Sequence, residues 1–273
     1  MLTRVIAGLL GLPILAALVI LGGLWLLVGV GVIAVIGLWE FYRAFTPKDG
    51  KKWLPAHFVG YAAAIAHFIL LPLLDFADFL PVMLLMLMLL PVLSMAMTVL
   101  QGKTRDAINP LVVISGHLYV VVALSAVYLL RVELAAAYEV WLIFIAAWGC
   151  DTGAYFTGKA FGKRKLAPLL SPKKTVAGAV GGTATATILG TAYGFILWNM
   201  DIISAYNIAL FAAVACFCSV AAQFGDLSAS AIKRQQGIKD FGRIMPGHGG
   251  VLDRFDSILF AAPVAFVVFW MLR

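Results

Sequence analysis

Three aspartates flank the longer of two polar segments, and their spacing could build a metal site. Asp226 follows an apolar run that ends near residue 222, whereas Asp253 and Asp256 precede the last apolar run. Residues three apart share one face of a helix, so Asp253 and Asp256 would repel each other unless a cation bridges them. Carboxylate oxygens near phosphates suit Mg²⁺. We therefore predict Mg²⁺ ligation here, with Asp226 approaching from the preceding helix. The alternative is a solvated loop with helix-capping carboxylates.

A glycine-rich run lies between these aspartates. Residues 247–250 read Gly-His-Gly-Gly. Glycines permit a tight turn, and the backbone N–H groups of Gly249 and Gly250 could then cradle a phosphate.

A second polar segment, residues 151–182, begins with an acidic residue at the end of an apolar run. Asp151 lies where charge is costly if the run spans a membrane, which makes it a candidate site residue. The alternative is a helix-end charge that reaches the interface.

Residues 171–175 of the same segment read Ser-Pro-Lys-Lys-Thr and precede a predicted long helix. Ser171 or Thr175 could cap that helix, and Pro172 suits its first turn. Free N–H groups and two lysines at a helix N-terminus predict phosphate or triphosphate binding. The alternative is the basic charge common to the inner side of membrane proteins. The candidate ligands here are Ser171, Lys173 and Lys174.

The composition indicates which elements must hold these residues. The chain has 273 residues, 63% hydrophobic and 12% charged, about half the charge of a typical soluble domain. The apolar runs are long and do not alternate with period two, which predicts membrane helices and excludes a barrel. The net charge of +7 lies in short loops between apolar runs. This pattern favours a basic membrane-surface layer over nucleic-acid binding.

The N-terminal apolar run is too long for one span. Residues 5–39 carry no charge. A helix of that length would measure roughly 52 Å, against a hydrocarbon core of about 30 Å. We predict an uncleaved hairpin of two spans that turns near Gly22 and Gly23. Seven further spans are predicted at about 54–74, 79–100, 107–130, 132–150, 175–200, 202–222 and 257–272.

Nine spans place most of the basic residues on one side. With the N-terminus inside, 18 of the 20 Lys and Arg residues fall on the inner side. This asymmetry follows the positive-inside rule. We therefore predict an all-α, polytopic protein of the cell (inner) membrane, with both polar segments at the cytoplasmic face. Residues 1–130 would hold about five spans, and residues 131–273 the rest together with segments 151–182 and 223–256.

Two further features concern packing. Glycines recur at four-residue spacing, which lets membrane helices approach closely and is compatible with a homodimer. They are Gly178, Gly182, Gly190 and Gly194. Glu40 and Arg43 share a helix face and are predicted to form an ion pair, without an assigned role.

The stretch from Ser230 to Asp256 resembles the signature of the phosphatidate cytidylyltransferases (CDP-diacylglycerol synthases). More than a dozen specified positions in 27 residues make chance agreement improbable. The matching positions are Ser230, Lys233, Arg234, Lys239, Asp240, Gly242, Pro246, His248, Gly249, Gly250, Asp253, Arg254 and Asp256. Residues 171–175, and Asp151 with Gly158 and Gly162, are similar to the second motif of the same family.

The resemblance implies that a phosphatidate oxygen attacks the α-phosphorus of CTP, giving CDP-diacylglycerol and pyrophosphate. Two anions must meet, so electrostatics and positioning should dominate. The implied roles are Mg²⁺ ligation by Asp226 and Asp253, with Asp256 next, and phosphate contacts by Lys173, Lys174, Lys233, Arg234 and Lys239. His248 would contact the phosphate chain or orient a ligand. Asp151, Ser171, Gly249, Gly250 and Arg254 complete the implied substrate set. The implied partners are CTP, phosphatidic acid and the bilayer, and not nucleic acid.

One position departs from the family pattern, which has an acidic residue where this chain has Ala177.

Three other functions remain open at this point. A CTP-dependent lipid kinase would release CDP, and a CDP-alcohol phosphotransferase would release CMP. A cation-coupled transporter would use the membrane-edge aspartates as an ion path, and would then carry charges within its spans.

Overall fold

The computed structural model describes residues 2–46, 55–100, 108–245, 247 and 249–272, and it is almost entirely helical. A π-helical stretch, His117–Val122, joins the α-helices Asn109–Gly116 and Ala123–Val132. The helices are α1 (Leu2–Leu21), α2 (Gly23–Phe45), α3 (Pro55–Leu70), α4 (Phe76–Leu100), α5 (Asn109–Gly116), α6 (Ala123–Val132), α7 (Trp141–Phe161), α8 (Val176–Asn199), α9 (Tyr206–Gln235) and α10 (Leu252–Leu272).

Within the described ranges, six helical stretches are long and apolar enough to cross a membrane: α2, α4, Asn109–Val132, α8, α9 and α10. Two shorter apolar helices, Gly11–Leu21 and Ala56–Leu70, accompany them. Large apolar side chains such as Trp25 and Met88 point outward, where lipid can cover them. The chain is therefore a helical multi-pass membrane protein. The count of nine spans and the inner N-terminus stay predictions.

The predicted N-terminal hairpin is present. Helix α1 ends at Leu21 and α2 begins at Gly23. Gly22 and Gly23 have φ angles of 62° and 47°, a backbone conformation that glycine adopts without the steric penalty of a Cβ atom. The turn thus falls where the sequence predicts it.

One short antiparallel hairpin interrupts the helices. Strand β1 (Lys165–Ala167) pairs with β2 (Ser171–Thr175). The expectation that Pro172 lies in the first turn of the following helix is therefore wrong, because residues 171–175 are extended. Both polar segments also begin as helix, since α7 continues to Phe161 and α9 continues to Gln235. Asp226 accordingly lies within α9 and does not end it.

The chain forms two compact units. The first contains Met1–Tyr128 and Ile238–Arg254, and the second contains Leu129–Gly237 and Phe255–Arg273. The predicted division near residue 130 stays a prediction.

In the first unit, α2, α3 and α5 surround a buried aromatic cluster. The hydroxyl of Tyr42 donates a hydrogen bond to the carbonyl of Val113 (3.2 Å), and its ring stacks on His57 with centroids 4.6 Å apart. The Arg43 guanidinium lies 5.3 Å from the centre of the Trp39 ring.

In the second unit, glycines bring α7, α8 and α9 together, which confirms their predicted structural role. A Cβ atom at Gly178 would lie 2.8 Å from the carbonyl oxygen of Ala154, and one at Gly182 would lie 2.7 Å from that of Cys150. Such distances require near contact of the two backbones. Gly190 and Gly194 face Phe211 of α9 in the same way. These glycines pack within one chain, so they no longer favour a homodimer.

Candidate functional site

A cavity of about 350 Å³ opens in the second unit, a volume in the range of small-molecule sites. Its walls come from α7, β2, the start of α8, and α9. The lining residues are Asp151, Ala154, Tyr155, Gly158, Lys159, Leu166, Lys173, Lys174, Thr175, Gly178, Ala179 and Gln223. Three lysines and an aspartate in one cavity suit a ligand that carries phosphate groups.

The α7 wall presents one helical face. Asp151, Tyr155 and Lys159 are each four residues apart, so they point the same way along α7. Asp151 was a predicted site residue, whereas Tyr155 and Lys159 were missed. The four-residue spacing from Asp151 was the signal that could have identified both.

The β2 strand and the start of α8 form a second wall. Thr175 caps α8, because its Oγ1 accepts a hydrogen bond from the N–H of Gly178 (3.1 Å). The N–H of Val176 donates to the carbonyl of Arg164 (2.9 Å). Two amides at this helix start are therefore already used by the protein, which corrects the expectation of freely available N–H groups. Lys173 and Lys174 remain as the positive charges of this wall.

Lys174 forms an ion pair with Asp226 of α9. Both side chains are about a quarter exposed, at 26% and 28%. The hydroxyl of Ser230, one turn further along α9, lies 3.5 Å from Oδ1 of Asp226. The ion pair links the cation-lined cavity to a carboxylate of the signature segment.

Asp256 is a buried carboxylate in the same unit. Its side chain is 8% exposed, and its Oδ1 accepts a hydrogen bond from the N–H of Ser257 (2.7 Å). It interacts electrostatically with Asp226, Asp151 and Lys233. Gly225, beside Asp226, makes this possible, because any side chain there would collide with the backbone carbonyl of Asp256.

Arg234 fixes the hairpin to the end of α9. Its Nε donates a hydrogen bond to the carbonyl of Leu170 (3.4 Å), in the turn between β1 and β2. The predicted phosphate contacts of Lys233 and Arg234 stay predictions, as does that of the half-buried Ser171 in β2.

In the first unit, the signature loop (residues 238–251) is organised by Asp253. Oδ2 of Asp253 accepts hydrogen bonds from the N–H groups of Phe241 (2.8 Å) and Gly250 (3.0 Å). The Gly250 amide therefore already has a partner, against the expectation that it cradles phosphate. Gly249 has a φ of 87° and accepts a hydrogen bond from the N–H of Met245 (3.0 Å).

Two further predicted residues are exposed: Lys239 in this loop and Arg254 in the first turn of α10. His248 lies outside the described residues.

The loop has a further buried partner that no pattern in the sequence predicts. Glu40 of α2 is completely buried and accepts hydrogen bonds from the N–H groups of Val251 and Leu252, at 3.0 and 2.8 Å. The predicted ion pair with Arg43 is replaced by these backbone contacts. No spacing along the chain points from residue 40 to residue 251.

Comparison with known proteins assigns the chain to a family. The model of the cytidylyltransferase family matches residues 2–272, nearly the whole chain. The chain belongs to the cytidylyltransferase family. The resemblance based on the signature is thereby confirmed at the family level.

Similar proteins of known name support this assignment to the cytidylyltransferase family. The chain is 44% identical over 139 residues to the phosphatidate cytidylyltransferase of Bacillus subtilis, covering 50% of each chain. It is 46% identical over 122 residues to that of Haemophilus influenzae, covering 44% of this chain and 42% of the relative. For Thermotoga maritima the identity is 37% over 132 residues, covering 48% and 49%. The chain thus spans about half the length of the curated relatives it matches.

Within this cytidylyltransferase-family chain, the second unit brings together Asp151, Lys174, Lys233, Asp226 and Asp256. The first unit holds Asp253, in the first turn of α10, where it accepts hydrogen bonds from the signature loop. The predicted approach of Asp226 to Asp253 stays a prediction. Among the described residues, no group of three or more His, Cys, Asp or Glu side chains has metal-binding geometry. Asp226 and Asp256 are nevertheless hard oxygen donors, the type that Mg²⁺ prefers.

Proposed function

We propose that this protein is a phosphatidate cytidylyltransferase, which converts CTP and phosphatidic acid to CDP-diacylglycerol and pyrophosphate. Membership of the cytidylyltransferase family and the names of its relatives support this assignment. The observation that carries it is the ion pair between Lys174 and Asp226. This pair joins a cavity lined by cations to a pair of carboxylates, the combination that transfer between two phosphate compounds needs.

In the proposed reaction, a phosphatidate oxygen attacks the α-phosphorus of CTP. The bond between the α-phosphorus and its bridging oxygen breaks, and pyrophosphate leaves with that bonding pair. The nucleophile is already an anion, so no strong base is required. Lys159, Lys173 and Lys174 would bind the phosphate oxygens, reduce the repulsion between the two substrates and hold them in line.

We propose Mg²⁺ as the cofactor. Mg²⁺ is often held by only one or two carboxylates, with phosphates and water completing its shell. Asp226 and the buried Asp256 fit this requirement, because they are close enough to interact electrostatically. Asp253 is the further predicted ligand, although one of its oxygens already accepts two backbone hydrogen bonds. When bound, the ion would neutralise the charge of the phosphate chain.

The lipid substrate fits a protein of this kind. Outward-facing apolar side chains allow the acyl chains to stay in the bilayer while the headgroup reaches the polar segments. We propose the cell (inner) membrane as the location and its cytoplasmic face as the side of the active site, because CTP is supplied there and most basic residues are predicted inside. A homodimer stays a prediction.

The proposed function is tested by supplying the purified protein with CTP, phosphatidic acid and Mg²⁺ in detergent micelles. Mass spectrometry of the lipid should show CDP-diacylglycerol, with one pyrophosphate released for each lipid formed. Omission of Mg²⁺, or its chelation, should abolish the product. Release of CDP or CMP in place of pyrophosphate would contradict the proposal, as would ion flux in proteoliposomes that contain no CTP.

A further inference from the structure

Glu40 is the buried acidic residue of α2, and its carboxylate lies at the N-terminus of α10. Its Oε1 accepts a hydrogen bond from the N–H of Val251 and its Oε2 from that of Leu252. Leu252 is the first residue of α10. A carboxylate at this end of a helix satisfies N–H groups that have no partner within the helix and interacts favourably with the helix dipole.

Two glycines of the signature loop pack directly on the same carboxylate. A Cβ atom at Gly242 or at Gly250 would collide with the carboxylate group of Glu40. Gly242 and Gly250 are themselves buried. The backbone therefore encloses the carboxylate on both sides, and only glycine leaves room for it. This explains the two glycines by a contact with a residue about 200 positions earlier in the sequence.

Asp253 accepts hydrogen bonds from two further amides of the same loop. Its Oδ2 accepts hydrogen bonds from Phe241, next to Gly242, and from Gly250. The loop is thus held between two buried carboxylates, Glu40 and Asp253. The residues that it carries toward solvent include Lys239.

Stability alone does not account for Glu40. Burying a carboxylate removes its hydration, and a buried ionic group is often no more stabilising than an apolar side chain of similar volume. What it provides is orientation, since each oxygen accepts from one specific amide. Strong hydrogen bonds between a charged acceptor and backbone N–H groups fix geometry closely.

We propose that Glu40 is a positioning residue for cytidylyl transfer: it holds the signature loop and the first turn of α10, and with them the predicted ligands Asp253 and Lys239, in one fixed geometry. This inference rests on the proposed function. It predicts that loss of the Glu40 carboxylate reduces turnover in a protein that still folds and still binds CTP.

The test is Glu40→Gln, which keeps the volume but turns one acceptor oxygen into an N–H₂ donor facing a backbone donor. We expect kcat to fall about 10- to 100-fold, as for other groups that orient reactive residues, while KM for CTP stays within about threefold. Hydrogen exchange at Val251 and Leu252 should also become faster. The matched control is Arg43→Gln, one turn along the same helix, which should keep wild-type turnover.

A second variant covers the case in which Glu40→Gln fails to fold. Gly242→Ala places a methyl group against the intact carboxylate and should reduce kcat in the same way. Its control is Gly31→Ala, also in the first unit, where the added Cβ would meet Phe68 at an ordinary contact distance of 3.5 Å.

The possible outcomes distinguish failure of the proposed function from failure of the positioning role of Glu40. A wild-type protein that forms no CDP-lipid contradicts the proposed function, and the inference falls with it. An active wild type whose folded Glu40→Gln variant keeps kcat within about twofold refutes the positioning role alone. Equal losses in Glu40→Gln and Arg43→Gln would also refute it, because they would indicate a general effect on α2.

Discussion

Two helices of this chain begin at polar motifs, but their N-termini are held in different ways. At α8 the cap is local, because Thr175 accepts a hydrogen bond from the amide of Gly178, three residues on. At α10 the cap is remote, because the amides of Val251 and Leu252 donate to Glu40, 211 and 212 residues earlier. Both helix starts carry candidate substrate or metal ligands.

The two helix starts therefore depend to different degrees on the rest of their units. A side-chain cap from within the segment forms whenever the helix forms, so the start of α8 is specified by its own sequence. The start of α10 and the signature loop take their geometry only when α2 is in place. Substitutions far from the motif should therefore affect the signature loop, whereas residues 171–178 should respond only to nearby changes.

The largest expected loss of activity follows removal of the charge of Asp226 or Asp253. Asp226→Asn and Asp253→Asn should each reduce CDP-lipid formation by about 100-fold or more, because each removes a charge proposed to act through the cation. Asparagine keeps an oxygen that can accept from Phe241 and Gly250, so Asp253→Asn should still fold. The exposed Asp201→Asn is the control for loss of one charge. Near-normal turnover of Asp253→Asn in the micelle assay would contradict its assignment as a ligand.

A smaller effect is expected at the cavity wall. Lys174→Gln removes the partner of Asp226 and should lower kcat/KM for CTP by about tenfold or more. Lys163→Gln, an exposed lysine close by in sequence, should have little effect. Steady-state kinetics with varied CTP would separate the two variants. Equal kinetics for both would mean that the lysines supply only general surface charge.

The packing of α7 against α8 provides a test of stability. Gly178→Ala would place its Cβ 2.8 Å from the carbonyl oxygen of Ala154, so the helices must move apart. We expect a loss of about 1–3 kcal/mol of stability, as for other overpacked sites. Thermal unfolding in detergent measures this, with Gly11→Ala as the control because no atom lies within 4 Å of its added Cβ. An unchanged midpoint for Gly178→Ala would contradict the close packing.

The smallest expected effect concerns the local cap. Thr175→Ala should reduce stability by about 1 kcal/mol, the typical value for loss of an N-cap side chain. Thr175→Ser keeps the hydroxyl group and should therefore retain most of the stability that the cap contributes. Both are measured by the same unfolding midpoint. If Thr175→Ala instead changed hydrogen exchange at Val251 and Leu252, the two helix starts would not be independent.

The features that the sequence predicts well are those that depend on nearby residues. The turn at Gly22 and Gly23, the cap at Thr175 and the close packing at Gly178 and Gly182 each depend on local residue type or spacing, and all are present. The family resemblance belongs to the same class, because a 27-residue signature is a local pattern.

The features that were not predicted from the sequence depend on long-range contacts or on helices that continue past charged residues. Glu40 reaches the signature loop through the packing of α2, and no pattern near residue 40 indicates it. The charged residues after residue 222 predict the end of a span, whereas α9 continues past them into the polar region as far as Gln235. Helix α7 likewise continues past Asp151 to Phe161, and this continuation places Lys159 on the same helical face as Asp151.

Isotope tracing distinguishes transfer of the cytidylyl group from the other possible reactions. The purified protein would receive phosphatidic acid, Mg²⁺ and CTP labelled with ³²P at either the α- or the γ-phosphorus. If the cytidylyl group is transferred, the α label enters the lipid and the γ label leaves as pyrophosphate. A γ label in the lipid would reveal a kinase and contradict the account, and so would an unlabelled lipid in both reactions.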